Sequence, residues 1–325
     1  MAQELPPLDP EVATVLEETP EEYLLVNLVD FEDMPGSRER VSQVMEMMLA
    51  DAPERPEVES EDVSVPGVSA DQELPLRIYR PVDGGSSLPC VYWIHGGGMV
   101  MGDLDQSDPT CELLVDELGC VVVSVDYRLA PEHPYPTPVD DCFAGLEWVA
   151  ANAAEVGVDA SRIAVSGQSA GGGLAAAVAL RARDEGGPES CYQLLIYPML
   201  DDRNVTESSK QVTDIGIWDR GMNVRAWEAY LGDRSGSDDV PPYAAPGRVD
   251  DLSGLPPTFL DIGTHDVFRD ETMAYAGRLT EGGVGTEFHL YPGGFHGYDV
   301  FARGSQLAQR TWSTRLAALR RAFDE

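Results

Sequence analysis

Lysine is nearly missing from this chain: Lys210 is the only one. All basic residues together number 22 against 57 acidic ones, which leaves a net charge of −35. A surface so short of positive charge repels nucleic acid and anionic membranes, so neither is expected as a partner. It also repels itself, and dissolved ions screen that repulsion. Tolerance of, or dependence on, high salt is therefore expected, as in a halophilic cytoplasm. A genome that favours arginine accounts for the lysine deficit but not for the acid excess. Cysteine is sparse and unpatterned. Cys90, Cys111, Cys120, Cys142 and Cys191 are odd in number and form no C-x-x-C pair, so buried free thiols are expected. No apolar run approaches roughly 18 residues, which excludes a membrane-spanning helix. Met1 to Glu11 is acidic and lacks the basic and apolar regions of a secretion signal. These absences lead to the expectation of a reduced, soluble, cytoplasmic protein.

What is present is an ordinary globular composition, 43% hydrophobic over 325 residues. That suffices for one large α/β domain or two smaller ones. The first 60 residues or so read as helices and polar linkers. Asp9-Pro10-Glu11 looks like a helix cap with proline in the first turn. A second helix is predicted from Ser37 to Ala50, with Val41, Val44, Met45, Met48 and Leu49 on one face. Ala52 to Glu61, rich in proline and glutamate, reads as a linker. From residue 62 the pattern becomes strand-like. Asp62–Val68 and Leu74–Tyr79 read as a hairpin, and Pro89–Ile94 and Cys120–Val125 as buried strands. Further strands are predicted at Ile163–Val165, Gln193–Tyr197, Phe259–Gly263 and Glu287–Tyr291. Helices are predicted at Pro109–Leu118, Val139–Ala150, Leu174–Leu180, about 269–281 and about 304–323. This alternation implies a mostly parallel sheet covered by helices on both faces. Leu200 to about Gly232 interrupts it, with Ile215, Ile217, Trp218, Met222, Trp227, Tyr230 and Leu231 at helix-like spacing. The segment is too long for a loop and reads as an insertion folded over the carboxyl edge of the sheet.

The chemistry centres on Gly167-Gln168-Ser169-Ala170-Gly171, set between a short apolar strand and an alanine-rich helix. Strand, sharp turn and helix are the setting a G-x-S-x-G nucleophile elbow requires. A serine hydroxyl needs a base to take its proton. Of five histidines, His296 lies in a glycine-rich loop just after the last strand and is the best base. His289 falls inside a strand and reads as structural, and His133 reads as holding loops together. The base needs a carboxylate to orient it. Asp266, directly after the strand Phe259–Ile262, fits that role better than Asp270, which falls where a helix cap is expected. His265 reads as a neighbour. The order Ser, Asp, His is that of α/β hydrolases. An attacked carbonyl becomes an oxyanion that needs preset donors. The backbone N–H groups of Gly97 and Gly98, in His95-Gly96-Gly97-Gly98, and of Ala170 are the candidates. No P-loop pattern competes for that glycine run.

Taken together, His95-Gly96-Gly97-Gly98, Tyr127-Arg128-Leu129-Ala130-Pro131-Glu132-His133-Pro134, Gly167-Gln168-Ser169-Ala170-Gly171 and Gly294-Phe295-His296-Gly297 resemble the hormone-sensitive lipase family of carboxylesterases. The likeness covers about residues 60–325. It implies an α/β-hydrolase fold: an eight-stranded, mostly parallel central sheet flanked by helices, with a helical cap. The cap would comprise residues 1–55 and an insertion at about 200–232, the catalytic domain residues 56–325. The resemblance implies hydrolysis of carboxylic esters through an acyl-Ser169 intermediate, with no metal or organic cofactor and a possible homodimer; short- to medium-chain acyl esters are the expected substrates. Met99, Val100, Met45, Met48 and Trp218 are candidates for lining the substrate pocket. Two departures stand out. Gln168 occupies the position where the family has Asp or Thr, and Val267-Phe268 stands where it has Pro-Leu after the acid. The sequence leaves open a lactonase, amidase or deacetylase with the same triad, or a non-catalytic ligand-binding receptor of the same fold.

Overall fold

The computed structural model describes residues 5–69 and 72–324, so residues 1–4 of the expected cap segment lie outside the described part. The chain opens with helices α1 (Pro10–Glu18), α2 (Leu25–Leu28) and α3 (Met34–Leu49). The Asp9 carboxylate accepts from the Glu11 and Val12 amides, which caps α1 in the way its sequence indicates. Then come β1 (Val58–Pro66), β2 (Glu73–Pro81), β3 (Leu88–Ile94), α4 (Asp108–Leu118), β4 (Val121–Val125) and α5 (Thr137–Ala151). The second half supplies β5 (Val158–Gln168), α6 (Ala170–Glu185), β6 (Tyr192–Ile196), α7 (Glu207–Gln211), α8 (Arg220–Leu231), β7 (Thr258–His265), α9 (Arg269–Glu281), β8 (Thr286–Phe295), α10 (Tyr298–Phe301) and α11 (Gln306–Asp324).

The strands form one eight-stranded sheet in the order β1-β2-β4-β3-β5-β6-β7-β8. β2 runs antiparallel to both β1 and β4, and every other pairing is parallel. This is the α/β-hydrolase sheet. Its central strands are buried along their length, as in Val-Val-Val-Ser-Val of β4, because helices cover both faces. β1 differs from expectation. It begins at Val58, inside the stretch read as a linker. As an edge strand it keeps Glu59, Ser60, Glu61 and Asp62 in solvent, so no apolar alternation marks it in the sequence. The insertion between β6 and β7 is also less helical than its spacing suggests. Ile215, Ile217 and Trp218 lie in irregular chain ahead of α8, and only Met222 to Leu231 of that apolar set are helical.

All five cysteines are free; four are buried and Cys191 is half-buried. Burial pushes the thiol of Cys120 up to about 12 and that of Cys191 up to about 11, so neither carries appreciable thiolate at neutral pH. Among the described residues no helix is long and apolar enough to cross a membrane.

Candidate active site

Strand β5 ends at Gln168 and α6 begins at Ala170, so Ser169 alone makes the turn. It sits at φ 57° and ψ −121°, a conformation that costs a non-glycine residue of order 1–3 kcal/mol. Contacts around it hold the strain. The Ser169 amide donates to the Ile196 carbonyl at 2.9 Å, and the Ser169 carbonyl accepts from Gly173 N at 3.0 Å and Met199 N at 2.9 Å. The flanking glycines are there for space. A Cβ on Gly171 would lie 2.0 Å from the Ile94 carbonyl oxygen, and one on Gly167 would lie 2.4 Å from the Gly171 backbone. Helix and strand can touch this closely only without side chains, and that closeness lifts the serine hydroxyl off the carboxyl edge of the sheet.

His296 follows β8 and reaches Ser169 across the sheet. Its Nε2 lies 2.9 Å from the Ser169 hydroxyl, and its Nδ1 lies 2.7 Å from Asp266 Oδ2. Asp266 is wholly buried just beyond β7, and its other oxygen accepts from Phe268 N at 2.9 Å. With Nδ1–H donating to the carboxylate, Nε2 is left to accept the serine proton. Tyr197 and Phe268 meet the imidazole edge-on at 4.9 and 5.1 Å between ring centroids, which fixes its plane. The rival acid, Asp270, is occupied elsewhere: it accepts from Ser208 N at 2.7 Å and from Arg269 Nε at 2.7 Å.

The other histidines sort by environment. His265 is buried against Thr264, with 3.2 Å between Nδ1 and the hydroxyl. His289 is half-buried and lies 2.8 Å from Glu287. His133 is exposed. The loop it sits in is tied down by Glu132, which takes two hydrogen bonds from Arg38 of α3. Arg38 also donates to the carbonyls of Val100, at 2.8 Å, and Ala130, at 2.9 Å. One arginine thus fastens the N-terminal helices to the glycine-rich loop.

In that loop Gly97 has φ +106° and Gly98 φ +64°, both closed to ordinary side chains. A Cβ on Gly97 would lie 2.1 Å from the Met101 carbonyl oxygen, and one on Gly98 would lie 2.3 Å from the Trp218 ring. Ala170, as the first residue of α6, has no intrahelical carbonyl for its amide. His95 anchors the loop from below. Its ring stacks on Tyr127 at 4.2 Å, and Nδ1 lies 2.8 Å from the Gly96 carbonyl.

Burial is the main cause that pushes His95 down to about 4, so it is neutral near pH 7. In the unfolded chain it takes up its proton near the ordinary value of about 6.5. Its contribution to stability is therefore complete above about pH 6.5 and is lost as the pH falls toward about 4. Melting curves across that window should fall more steeply for the wild type than for His95→Asn. Parallel slopes would show that His95 is not the group responsible.

A cavity of about 120 Å³ opens over Ser169. The N-terminal helices contribute Leu25, Val41, Met45 and Leu49 to its wall, and the insertion contributes Ile217 and Trp218. Met101 and Gln106 follow the glycine loop, and Val300 and Phe301 follow His296. Of the residues the sequence offers for the pocket, Met45 and Trp218 line it. Met48, Met99 and Val100 do not. Val41, Met45 and Leu49 recur every four residues and share an arc of α3, whereas Met48 lies on the ridge of buried Val44 and packs against the core. Met99 has φ 61°, and this turn sends it and Val100 into the core. Tyr197 was not legible in advance, because nothing near it in the sequence marks a residue that must face the imidazole.

A buried Ser–His–Asp line at the carboxyl edge of this sheet, beside a glycine-rich loop, is the arrangement expected of an enzyme of the α/β-hydrolase class. Comparisons narrow the class. A family model described as alpha/beta hydrolase fold matches residues 91–300. Carboxylesterase NlhH of Mycobacterium tuberculosis (strain ATCC 25618 / H37Rv) is 43% identical over 270 residues, 82% of this chain and 84% of that protein. Esterase LipI of the same strain is 37% identical over 324 residues, 98% of this chain and 96% of that protein. The structure of a bacterial heroin esterase superposes with a TM-score of 0.91 at 42% identity, covering 98% of this chain and 99% of that one. The chain belongs to the hormone-sensitive lipase family of α/β hydrolases and is a carboxylic ester hydrolase.

Proposed function

We propose that Ser169, His296 and Asp266 are the catalytic triad, with the backbone amides of Gly97, Gly98 and Ala170 as the oxyanion hole. The supporting observation is one imidazole held within 3 Å of both partners, 2.9 Å from the hydroxyl and 2.7 Å from the carboxylate. The Ser169 oxygen attacks the ester carbonyl carbon while His296 Nε2 takes its proton. Negative charge develops on the carbonyl oxygen, and amides held in place by positive-φ glycines meet it without reorganising. Collapse breaks the bond to the alcohol, which leaves with the proton from His296. Water then attacks the acyl-serine, giving a proton to His296; collapse breaks the bond to Ser169 Oγ, which takes that proton back, and the carboxylic acid is released. Asp266 keeps the imidazole in the tautomer both halves need.

We assign residues 1–55 and about 200–232 to a cap over the catalytic domain, because both segments supply cavity wall. The proposed substrates are short- to medium-chain acyl esters. The cavity is of the size that houses about one benzene ring, so a long chain has little room beside the serine. The outer edge of β8 is the proposed face of a homodimer. The charge of −35 supports salt tolerance. A series of p-nitrophenyl esters from acetate to laurate, run at rising KCl, tests chain length and salt together. Turnover should be greatest between acetate and hexanoate and should persist in concentrated KCl. A maximum at laurate, or activity that collapses with salt, would contradict these assignments.

A further inference from the structure

Three successive residues of the glycine-rich turn have positive φ: Gly97 at +106°, Gly98 at +64° and Met99 at 61°. Glycine takes such a backbone freely. A methionine does not, and its strain persists only where the surroundings enforce it. Within the turn, the Gly97 carbonyl accepts from Val100 N at 3.1 Å and Met101 N at 3.0 Å. The next carbonyls, those of Met99 and Val100, are held from outside. That of Met99 accepts from Ala130 N at 2.9 Å, and that of Val100 from Arg38 Nε at 2.8 Å. Arg38 also braces the first of these ties, because its Nη2 donates to the Ala130 carbonyl at 2.9 Å. Glu132 occupies the rest of the guanidinium, accepting from Nη1 at 2.9 Å and Nη2 at 2.6 Å. Both partners of that ion pair are partly open to solvent, and exposed pairs contribute little to stability. Charge-assisted bonds to the carbonyls of a strained turn do something else: they fix where the turn sits.

We propose that Arg38 is a positioning residue for the oxyanion hole, coupling the seating of the N-terminal helices to the placement of the Gly97 and Gly98 amides. This rests on the reading of that turn as the oxyanion hole. Arg38 touches neither substrate nor triad in this role. It acts through the Val100 and Ala130 carbonyls, on either side of the tie that holds Met99. Oxyanion donors meet a charge that develops only in the transition state. A turn that drifts therefore loses kcat and leaves substrate binding almost unchanged.

Arg38→Met keeps much of the side chain's bulk and removes all of these bonds. Its kcat for p-nitrophenyl butyrate should fall roughly tenfold to hundredfold, with KM within about threefold of wild type. Arg38→Lys, whose ammonium can serve only some of the acceptors, should fall between the two. Glu132→Gln removes the charge of the ion pair but not the ties to the carbonyls, and should lose less than about threefold in kcat. Inhibition constants give a readout that does not depend on how much of a variant is folded. Butyl trifluoromethyl ketone is attacked by Ser169 Oγ as the serine proton passes to His296, and its carbonyl oxygen becomes an anion in the oxyanion hole. Butyl methyl ketone is bound without that addition. In Arg38→Met the inhibition constant of the fluorinated ketone should rise by the factor by which kcat/KM falls, while that of the plain ketone stays within about threefold. A kcat within about threefold of wild type in Arg38→Met, an equal rise in both inhibition constants, or an equal loss in Glu132→Gln would overturn the proposal. If the wild type binds the fluorinated ketone no more tightly than the plain one, the oxyanion-hole reading fails instead, and that outcome is seen before any variant is made.

Discussion

Ser169→Ala should lower kcat for p-nitrophenyl butyrate by about 10⁵-fold or more while leaving the fold intact. The size follows from the role proposed for the hydroxyl: without a nucleophile no acyl-enzyme can form, and His296 loses the group whose proton it would take. Alanine fits the space, and Ser169 already pays for its φ of 57° through backbone contacts that alanine keeps. Melting temperature should therefore hardly change. A fluorophosphonate probe should label the wild type and not the variant. Substantial residual turnover with unchanged folding would refute the nucleophile assignment. His296 and Asp266 would then need another role, despite their spacing of 2.7 Å.

Arg315→Met should cost about 3–5 kcal/mol of stability, or roughly 5 °C in melting temperature for a chain of this length. Arg315 is fully buried in α11 between two buried carboxylates. Its Nε donates to Asp261 at 2.6 Å and Nη2 to the other Asp261 oxygen at 3.1 Å, while Nη1 donates to Asp299. Two acids thus share one cation, and burial pushes the Asp261 carboxyl up even with the arginine present. Methionine would leave both acids unpaired in the interior, which is worse than having no charges there at all. Replacing Arg315→Met together with Asp261→Asn and Asp299→Asn should therefore recover much of the loss. A single variant that melts within about 1 °C of wild type would mean that the triad of charges contributes little. The position of this cluster gives it functional weight. Asp261 lies on the strand that leads to Asp266, and Asp299 closely follows His296. The guanidinium also lies 5.5 Å from the Tyr197 ring, which meets the imidazole edge-on. kcat should fall with stability in the single variant.

What could be read in advance depended on how local the physics is. Buried strands such as Val-Val-Val-Ser-Val are legible because nearly every residue is apolar, or as small as Ser124, when both faces are covered. The edge strand β1 is not, because solvent takes most of its side chains and the remaining pattern looks like a polar linker. Ser169, Asp266 and His296 each sit just past a strand, in a turn whose glycines or acid have a local reason to be there. Their convergence then follows from the parallel sheet. The pocket is a different matter. Val41, Met45 and Leu49 reach it while Met48 does not, although all four sit on one apolar face of the same helix. How α3 is seated against the glycine-rich loop decides between them, and that seating depends on contacts such as Arg38 with the Val100 carbonyl, across 62 positions of sequence.

The class of chemistry, the succession of strands and helices along the chain, the residues of the proposed triad and the excess of acid could all be read from the amino acids alone. Each of these is encoded within a few consecutive residues or in bulk composition. The folded chain was needed to show which side chains face the cavity, in what order the strands lie, and that Arg315 joins the strand before Asp266 to the turn after His296. Those facts are set by packing between distant segments, where burial and the pairing of charge depend on neighbours that no local pattern names.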